Sequence, residues 1–150
     1  MDFLDTRTRT ITGLALDGLY ERQKAIASNT ANALTPNYHR KEVEFEAQLQ
    51  KKIQEYDYRE EVKVDNSNLY RENPAEALKR FDMAQMMFRE ESEPFVPMLK
   101  EDATGLDGNG NNVSLEREMM QTAKTGTQYT ILSTLLGNSF DSLEQVIKGQ

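Results

Sequence analysis

The 150-residue chain has no cysteine and no tryptophan, and it has only one histidine. Without cysteine it has neither a disulfide framework nor a thiolate nucleophile, and the sequence gives no indication of its redox compartment. Its 25 acidic residues outnumber its 18 basic residues and give a net charge of -7. Because this charge opposes binding to a phosphate backbone, we expect no nucleic-acid partner.

Long apolar runs are also missing. No stretch approaches the roughly 18 apolar residues of a membrane-spanning helix. The first five residues, Met-Asp-Phe-Leu-Asp, lack the basic and apolar regions of a secretory signal. We therefore expect no transmembrane segment, and we expect any export to proceed without a cleaved signal peptide.

The residue types that usually carry catalysis are sparse. His39 is the single histidine, so a histidine-based metal cluster or a Ser-His triad has little support. No glycine-rich phosphate loop occurs, and the carboxylates lie among lysines and arginines as on solvated faces. We predict no catalytic residue, no metal site and no cofactor, and we predict that the protein is not an enzyme.

One stretch imitates a calcium loop. Four side chains fall at the first, third, fifth and twelfth positions of an EF-hand: Asp107, Asn109, Asn111 and Glu118. The sixth position, which needs glycine for a sharp turn, holds Asn112. The pattern therefore does not favour calcium binding.

The C-terminal third has the clearest periodicity. Alternating steps of four and three residues from Leu115 define a heptad seam over more than four repeats, which predicts a helix over 115–147 that buries itself against other helices. Ser114 is the predicted N-cap. The seam residues that we expect to pack are Leu115, Met119, Tyr129, Leu136, Phe140, Leu143 and Ile147.

The N-terminal segment predicts a second long helix over residues 3–33. Pro36 disfavours helix at the residue before it, and Asn37 tolerates a left-handed turn. Two interpretations of the asparagines in the last turns stay open: polar residues near a helix end, or residues that fix the register of a packed seam. The expected seam consists of small and apolar residues and these asparagines: Leu4, Ile11, Gly18, Ala25, Asn29 and Asn32.

The sequence thus predicts a mainly α protein whose two long terminal helices form an antiparallel, coiled-coil-like hairpin. The terminal helical core comprises residues 1–36 and 114–150, and a less regular insert comprises residues 37–113. Within the insert we expect a short helix from 74 to about 89 and leave room for short strands. Residues 43–49 suit either a strand or a helix.

Two separated motifs carry a resemblance. The run from Ser28 to Tyr38 is similar to the signature of bacterial flagellar axial proteins of the rod and hook class, with Asn37 in place of the usual glycine. The stretch before the C-terminal helix is similar to the Asp-Gly-Asn-Asn-Val stretch of the same class. The matching residues are Ser28, Asn29, Ala31, Asn32, Thr35, Pro36 and Tyr38, followed by Asp107, Gly108, Asn111, Asn112 and Val113.

The resemblance to the flagellar basal-body rod protein family implies a structural subunit. Such a subunit would self-assemble through its terminal helices into a helical tubular shaft, the proximal rod, which transmits torque and surrounds the export channel. It would lie within the periplasmic space after type III export. The implied partners are further copies of the chain, other rod proteins, the rod adaptor protein FliE, the MS ring and the export gate. The alternative function is a soluble helical adaptor or export chaperone that binds a partner helix.

Overall fold

The computed structural model describes residues 6–57, 73–76, 78–79, 82, 94–102 and 104–148. The elements are helix α1 (Thr6–Ala31), strand β1 (Arg40–Glu44), helix α2 (46–57), strand β2 (Met98–Asp102) and helix α3 (Leu115–Lys148). The predicted class, mainly α with two long terminal helices that pack together, is confirmed. No helix in the described part of the chain is both long enough and apolar enough to cross a bilayer.

The chain divides into two compact units. One consists of Met1–Ala47 and Val96–Gln150, and the other of Gln48–Phe95. The first unit holds α1 and α3, and it also holds β1 and β2, which lie inside the predicted insert. In the second unit, residues 74–76, 78–79 and 82 are helical. The remainder of the helix predicted from 74 to about 89 lies outside the described residues.

Helix α1 ends two residues before the predicted position. The backbone N–H of Asn32 donates to the carbonyl oxygens of Ser28 and Asn29, both at 3.1 Å, and its side-chain Nδ2 donates to the Ser28 oxygen at 2.8 Å. The Ser28 carbonyl therefore accepts two hydrogen bonds from Asn32 at the end of the helix. A turn then carries the chain to Asn37, whose φ of 56° is the left-handed conformation that was expected there.

Helix α3 begins where its cap predicts. The Ser114 hydroxyl accepts a hydrogen bond from the Arg117 N–H at 3.4 Å, and the Ser114 carbonyl accepts one from the Glu118 N–H at 3.0 Å. Glu116 and Glu118 lie in the first turn and complement the positive end of the helix dipole. The helix extends over 34 residues to Lys148, one residue beyond the predicted end.

Strands β1 and β2 form a two-stranded antiparallel sheet. The register runs from Arg40 opposite Asp102 to Glu44 opposite Met98. Pro97 directly precedes β2, which is a position that proline tolerates beside an edge strand. The segment that suited either a strand or a helix contains both, because β1 ends at Glu44 and α2 begins at residue 46.

Small residues allow close packing on α1. Ala15, Leu19, Ala25 and Ile26 are buried along the helix. Gly18 lies directly against the ring of Phe45, because a Cβ atom built on this glycine would come within 2.5 Å of the ring. The sheet and its following residue therefore cover one side of α1, while α3 covers another.

The face that helix α3 buries within this chain is not its apolar seam. Its buried residues are Glu118, Thr125 and Ser139. The predicted seam lies about 60° around the helix from that face, at 100° per residue. Of the predicted seam residues, Leu136 and Leu143 are half-buried, and the others are exposed: Leu115, Met119, Tyr129, Phe140 and Ile147.

The burial of this face has a physical cause. Glu118 is directed inward because it has buried hydrogen-bond partners on α1 and β1, and a buried carboxylate without partners would be strongly unfavourable. The expectation that the apolar seam of α3 packs against other helices stays a prediction. On α1 the expected stripe does face inward: Gly18, Ala25 and Asn29 are buried, and Ile11 and Asn32 are half-buried. Leu4 lies outside the described residues.

Candidate functional site

The two sequence motifs meet in space at the end of α1. Asn111 is buried, and its Nδ2 donates to the backbone oxygens of Asn32, Ala33 and Thr35 at 3.0, 3.2 and 2.8 Å. Its Oδ1 accepts from the Val113 N–H at 2.7 Å. One side chain of the second motif thus binds three carbonyl groups in the turn that follows α1.

In the loop before α3, the Asp107 carboxylate binds backbone amides of the same loop. The Asp107 Oδ1 accepts hydrogen bonds from the N–H groups of Asn109 and Asn111 at 2.8 and 2.9 Å. The Asn109 carbonyl accepts from the Asn37 N–H at 2.9 Å. The resemblance to a calcium loop therefore coincides with a hydrogen-bonded turn. Within the described ranges, no three acidic or histidine side chains come together as a metal site requires.

Asn29 lies at the centre of the contact between α1, β1 and α3. It is fully buried. Its Nδ2 donates to the Lys41 carbonyl at 2.7 Å and to the Glu118 Oε2 at 3.1 Å. Its Oδ1 accepts from the Lys41 N–H at 2.8 Å and from the Tyr38 hydroxyl at 3.3 Å. The buried amide of Asn29 therefore has hydrogen-bond partners for both its nitrogen and its oxygen.

Arg40 and Glu118 form a buried ion pair beside Asn29. The Arg40 Nε donates to the Glu118 Oε1 at 2.7 Å, and the exposed fractions of the two side chains are 3% and 0%. A second Arg40 nitrogen donates to Glu42 at 2.8 Å. Burial alone would lower the pKa of the Arg40 guanidinium, but the hydrogen bonds to Glu118 and Glu42 raise this pKa above its ordinary value.

Asn112 connects this pair to the open end of the sheet. Its Oδ1 accepts from the Arg40 N–H at 2.7 Å, while its Nδ2 donates to the carbonyls of Asp102 and Thr104 at 2.5 and 2.8 Å. We call the linked set of Asn29, Arg40, Asn111, Asn112 and Glu118 the junction. It joins α1, both strands and the start of α3 through four buried polar residues and the half-buried Asn112, and its hydrogen bonds favour one relative placement of these elements.

The other motif residues surround the junction. The hydroxyl groups of Ser28 and Tyr38 are 3.0 Å apart, and the Thr35 hydroxyl donates to the Asn32 Oδ1 at 3.2 Å. The remaining members shape the backbone: Ala31 is the last residue of α1, Pro36 lies exposed in the following turn, Gly108 lies in the loop turn and Val113 is half-buried before α3.

The sequence reasoning did not identify Arg40 and Glu118 as a pair. A weak signal existed on α3, where Glu118, Thr125, Leu132 and Ser139 repeat every seven residues. Because three of these four are polar, the stripe is typical of a solvated face, and the neighbouring apolar stripe was the stronger pattern. Only the buried partners on α1 and β1 distinguish the inward face.

A second surface feature is the face of α3 that carries the exposed part of the predicted seam. Met119, Phe140 and Ile147 are 71%, 55% and 82% exposed. We call the exposed members of the predicted seam the outer seam, namely Leu115, Met119, Tyr129, Phe140 and Ile147. Further exposed apolar side chains lie on the other flank of the inward face: Met120, Ile131, Leu135 and Val146.

The chain is similar in sequence to known flagellar basal body rod proteins. The chain is 31% identical over 135 residues to the flagellar basal body rod protein FlgB of Borrelia hermsii, covering 89% of this chain and 90% of that protein. It is 30% identical to FlgB of Bacillus subtilis over 85% and 83% of the two chains, and 26% identical to FlgB of Escherichia coli K12 over 89% and 88%. No family model matches.

These likenesses extend over nearly the whole chain and include both motifs that form the junction. They define a structural protein of the bacterial flagellar basal-body rod. The chain belongs to the FlgB family of flagellar basal body rod proteins.

Proposed function

We propose that this chain self-assembles through its terminal helices into the helical tubular shaft of the proximal rod, which transmits torque and surrounds the export channel. The role is structural, without catalysis. The observation that carries this proposal is the reversed distribution of polarity on α3. Its buried face contains Glu118, Thr125 and Ser139, whereas large apolar side chains such as Phe140 and Ile147 are exposed.

Such a distribution is unfavourable for a helix that acts alone. Burial of apolar area stabilises by roughly 25 cal/mol per Å², so exposed methionine, phenylalanine and isoleucine side chains gain most from a neighbouring helix. Rows of apolar side chains on a surface mark interaction sites. A second chain packed on the outer seam would complete the heptad contact that the sequence predicts.

The surface also has room for such a neighbour. An open groove of about 350 Å³ lies between α1 and α3 and is lined by Leu19, Tyr20, Gln23, Thr125, Gly126, Tyr129 and Thr130. Nothing lies within 4 Å of a Cβ built on Gly126, so the backbone of α3 is accessible there. Tyr129 belongs to both the groove and the outer seam, so a packed helix would contact the two together.

The further parts of the proposal follow from the family. We propose that the subunit lies in the rod within the periplasmic space, after type III export without cleavage of a signal peptide. Its partners there would be further copies of itself, other rod proteins, the rod adaptor protein FliE, the MS ring and the export gate. The intact mass of the subunit from isolated basal bodies tests the absence of cleavage.

Substitution of the outer seam tests assembly. Phe140→Asp places a charge on the seam, and Thr134→Asp places the same charge on an exposed residue outside it. In cells that produce only the variant chain, we expect Phe140→Asp to abolish motility and to be absent from isolated basal bodies. Thr134→Asp should support both. Equal incorporation of the two variants would contradict the proposal.

The location of the unsubstituted chain tests the alternative, an adaptor or export chaperone that binds a partner helix. An adaptor would remain outside the isolated basal body even as the unsubstituted chain, and it would form a stoichiometric complex with its partner in the cytoplasm. The rod proposal predicts the unsubstituted chain in the isolated basal body. Immunodetection of the chain in that fraction therefore separates the two functions.

A further inference from the structure

The loop before α3, which supplies Asn111 and Asn112 to the junction, contains the one Asn-Gly dipeptide of the sequence, Asn109–Gly110. Glycine has no Cβ, so its backbone nitrogen approaches the preceding asparagine side chain with the least steric hindrance. In the resulting reaction, a bond forms between the Gly110 nitrogen and the Asn109 Cγ, and the bond from Cγ to Nδ2 breaks. Ammonia leaves with the former amide proton, and water then opens the cyclic imide to aspartate or isoaspartate.

The folded loop opposes this reaction, because its hydrogen bonds engage the attacking nitrogen and fix the backbone around Asn109. The Gly110 N–H, which is the nucleophile, donates to the Asp107 carbonyl at 3.0 Å. The Asn109 N–H donates to the Asp107 Oδ1 at 2.8 Å, and the Asn109 carbonyl accepts from the Asn37 N–H at 2.9 Å. Hydrogen bonds therefore fix the peptide groups on both sides of Asn109. Since Asn109 is exposed, water is not what limits the reaction.

The loop has little tolerance for the product. An isoaspartate at position 109 inserts one more carbon into the backbone and displaces the carbonyl that Asn37 binds. Gly110 already touches Asn37 closely, since a Cβ built on this glycine would lie 2.5 Å from the Asn37 Oδ1. The new carboxylate would also lie beside Asp107. A loop that contains isoaspartate at position 109 therefore cannot re-form the same hydrogen bonds.

We propose that Asn109–Gly110 is a deamidation site that the closed junction keeps unreactive, and that isoaspartate formed in an opened chain prevents the junction from closing again. The reaction needs only water, and the inference does not depend on the proposed function. Asn109 therefore stays unmodified only as long as the junction is closed. If reaction requires local opening, its rate reports the equilibrium between the closed and open loop.

Mass spectrometry of the full chain tests the proposal. Cleavage after Lys100 and Arg117 releases one peptide with Asn109 and the two slower sites Asn111 and Asn112 as internal references. The chain is incubated at neutral pH with and without guanidinium chloride, and the mass increase at Asn109 is followed over time. We expect the reaction to be slower in the native chain by about tenfold or more.

Two variants sharpen the result. Asn111→Ala removes the side chain that binds the end of α1 and should speed reaction at Asn109 in the absence of denaturant, whereas Asn109→Gln should abolish the signal. After removal of denaturant, unmodified chains should regain protection of the Asn37 amide in hydrogen exchange, and isoaspartate-containing chains should not. Equal rates in the native and unfolded chain, or full recovery of the modified chain, would overturn the proposal.

Discussion

Arg40 and Glu118 are 78 residues apart in the sequence, and their side chains form an ion pair of 2.7 Å that is almost completely buried. The pair lies where α1, β1 and α3 meet, and the second carboxylate oxygen of Glu118 binds Asn29. A buried pair stabilises a fold only when its remaining hydrogen bonds are made. Here Asn29 and Glu42 make them.

Removal of one charge from this pair should be severely destabilising. Glu118→Gln keeps the shape of the side chain but removes the buried one of the two carboxylates that bind the Arg40 guanidinium, so that the partly exposed Glu42 remains. We expect the free energy of unfolding to fall by about 3–5 kcal/mol, measured by guanidinium denaturation of the full chain.

Two controls accompany this variant. Glu116→Gln removes an exposed carboxylate from the same helical turn and should change stability by less than about 0.5 kcal/mol. The double variant Arg40→Met with Glu118→Leu should recover much of the lost stability, because it leaves no unpaired buried charge. A Glu118→Gln chain as stable as the Glu116→Gln chain would contradict the account of the junction.

Gly18 and Gly13 form a matched pair on α1. At Gly18 a Cβ would come within 2.5 Å of the Phe45 ring, whereas at Gly13 nothing lies within 4 Å. Gly18→Ala should therefore destabilise by about 1–3 kcal/mol through overpacking. Gly13→Ala should stabilise by up to about 1 kcal/mol through helix propensity. Thermal unfolding measures both, and shifts of the same sign would contradict the close contact between Gly18 and the Phe45 ring.

Asn37 adopts a left-handed backbone conformation, with φ of 56°. Asn37→Gly should preserve the turn, while Asn37→Ala should cost about 1–2 kcal/mol because its Cβ is strained in this region. Denaturation midpoints compare the two variants. If alanine were tolerated as well as glycine, conformational strain at this position would not be limiting.

The ion pair of Arg22 with Glu46 predicts an effect of pH. Burial acts to raise the pKa of Glu46, but hydrogen bonds from Arg22 and from backbone amides lower this pKa below its ordinary value of 4.5. Because the pKa is lower in the folded chain, the stabilisation is complete above the unfolded value and is lost as the pH falls through the folded value.

Glu46→Gln tests that effect. The Glu46 side chain is 62% exposed, so we expect the variant to be less stable by under about 1 kcal/mol at pH 7. The two chains should become equally stable as the pH falls toward 2. Unfolding titrations at several pH values provide the measurement, and a difference that widens in acid would contradict the prediction.

The sequence predicts the long helices well because local signals define them. Ser114 caps α3, and the small residues of α1 mark its inward face. The face of α3 that is buried was not predictable in the same way, since its burial depends on Arg40, a residue far away in sequence. Polar Thr125 and Ser139 occupy the inward face, and only tertiary contacts reveal that arrangement.

The asparagines at the end of α1 likewise show that local sequence signals do not determine which residues are buried. A helix end with Asn29 and Asn32 fits either a solvated terminus or a buried seam. The structure buries Asn29 and bonds it to Glu118. That it fixes the register between helices stays a prediction, which Asn29→Leu would test through altered pairing of α1 and α3.

The pairing of β1 with β2 has a consequence for how such subunits diversify. Glu44 and Met98 face each other across the sheet, so the segment between the strands leaves and re-enters the first unit at neighbouring points. The cost of closing a loop rises only slowly with its length. Evolution can therefore lengthen, shorten or exchange the intervening segment while α1, α3 and the junction keep their geometry. One helical frame would then support many different intervening segments.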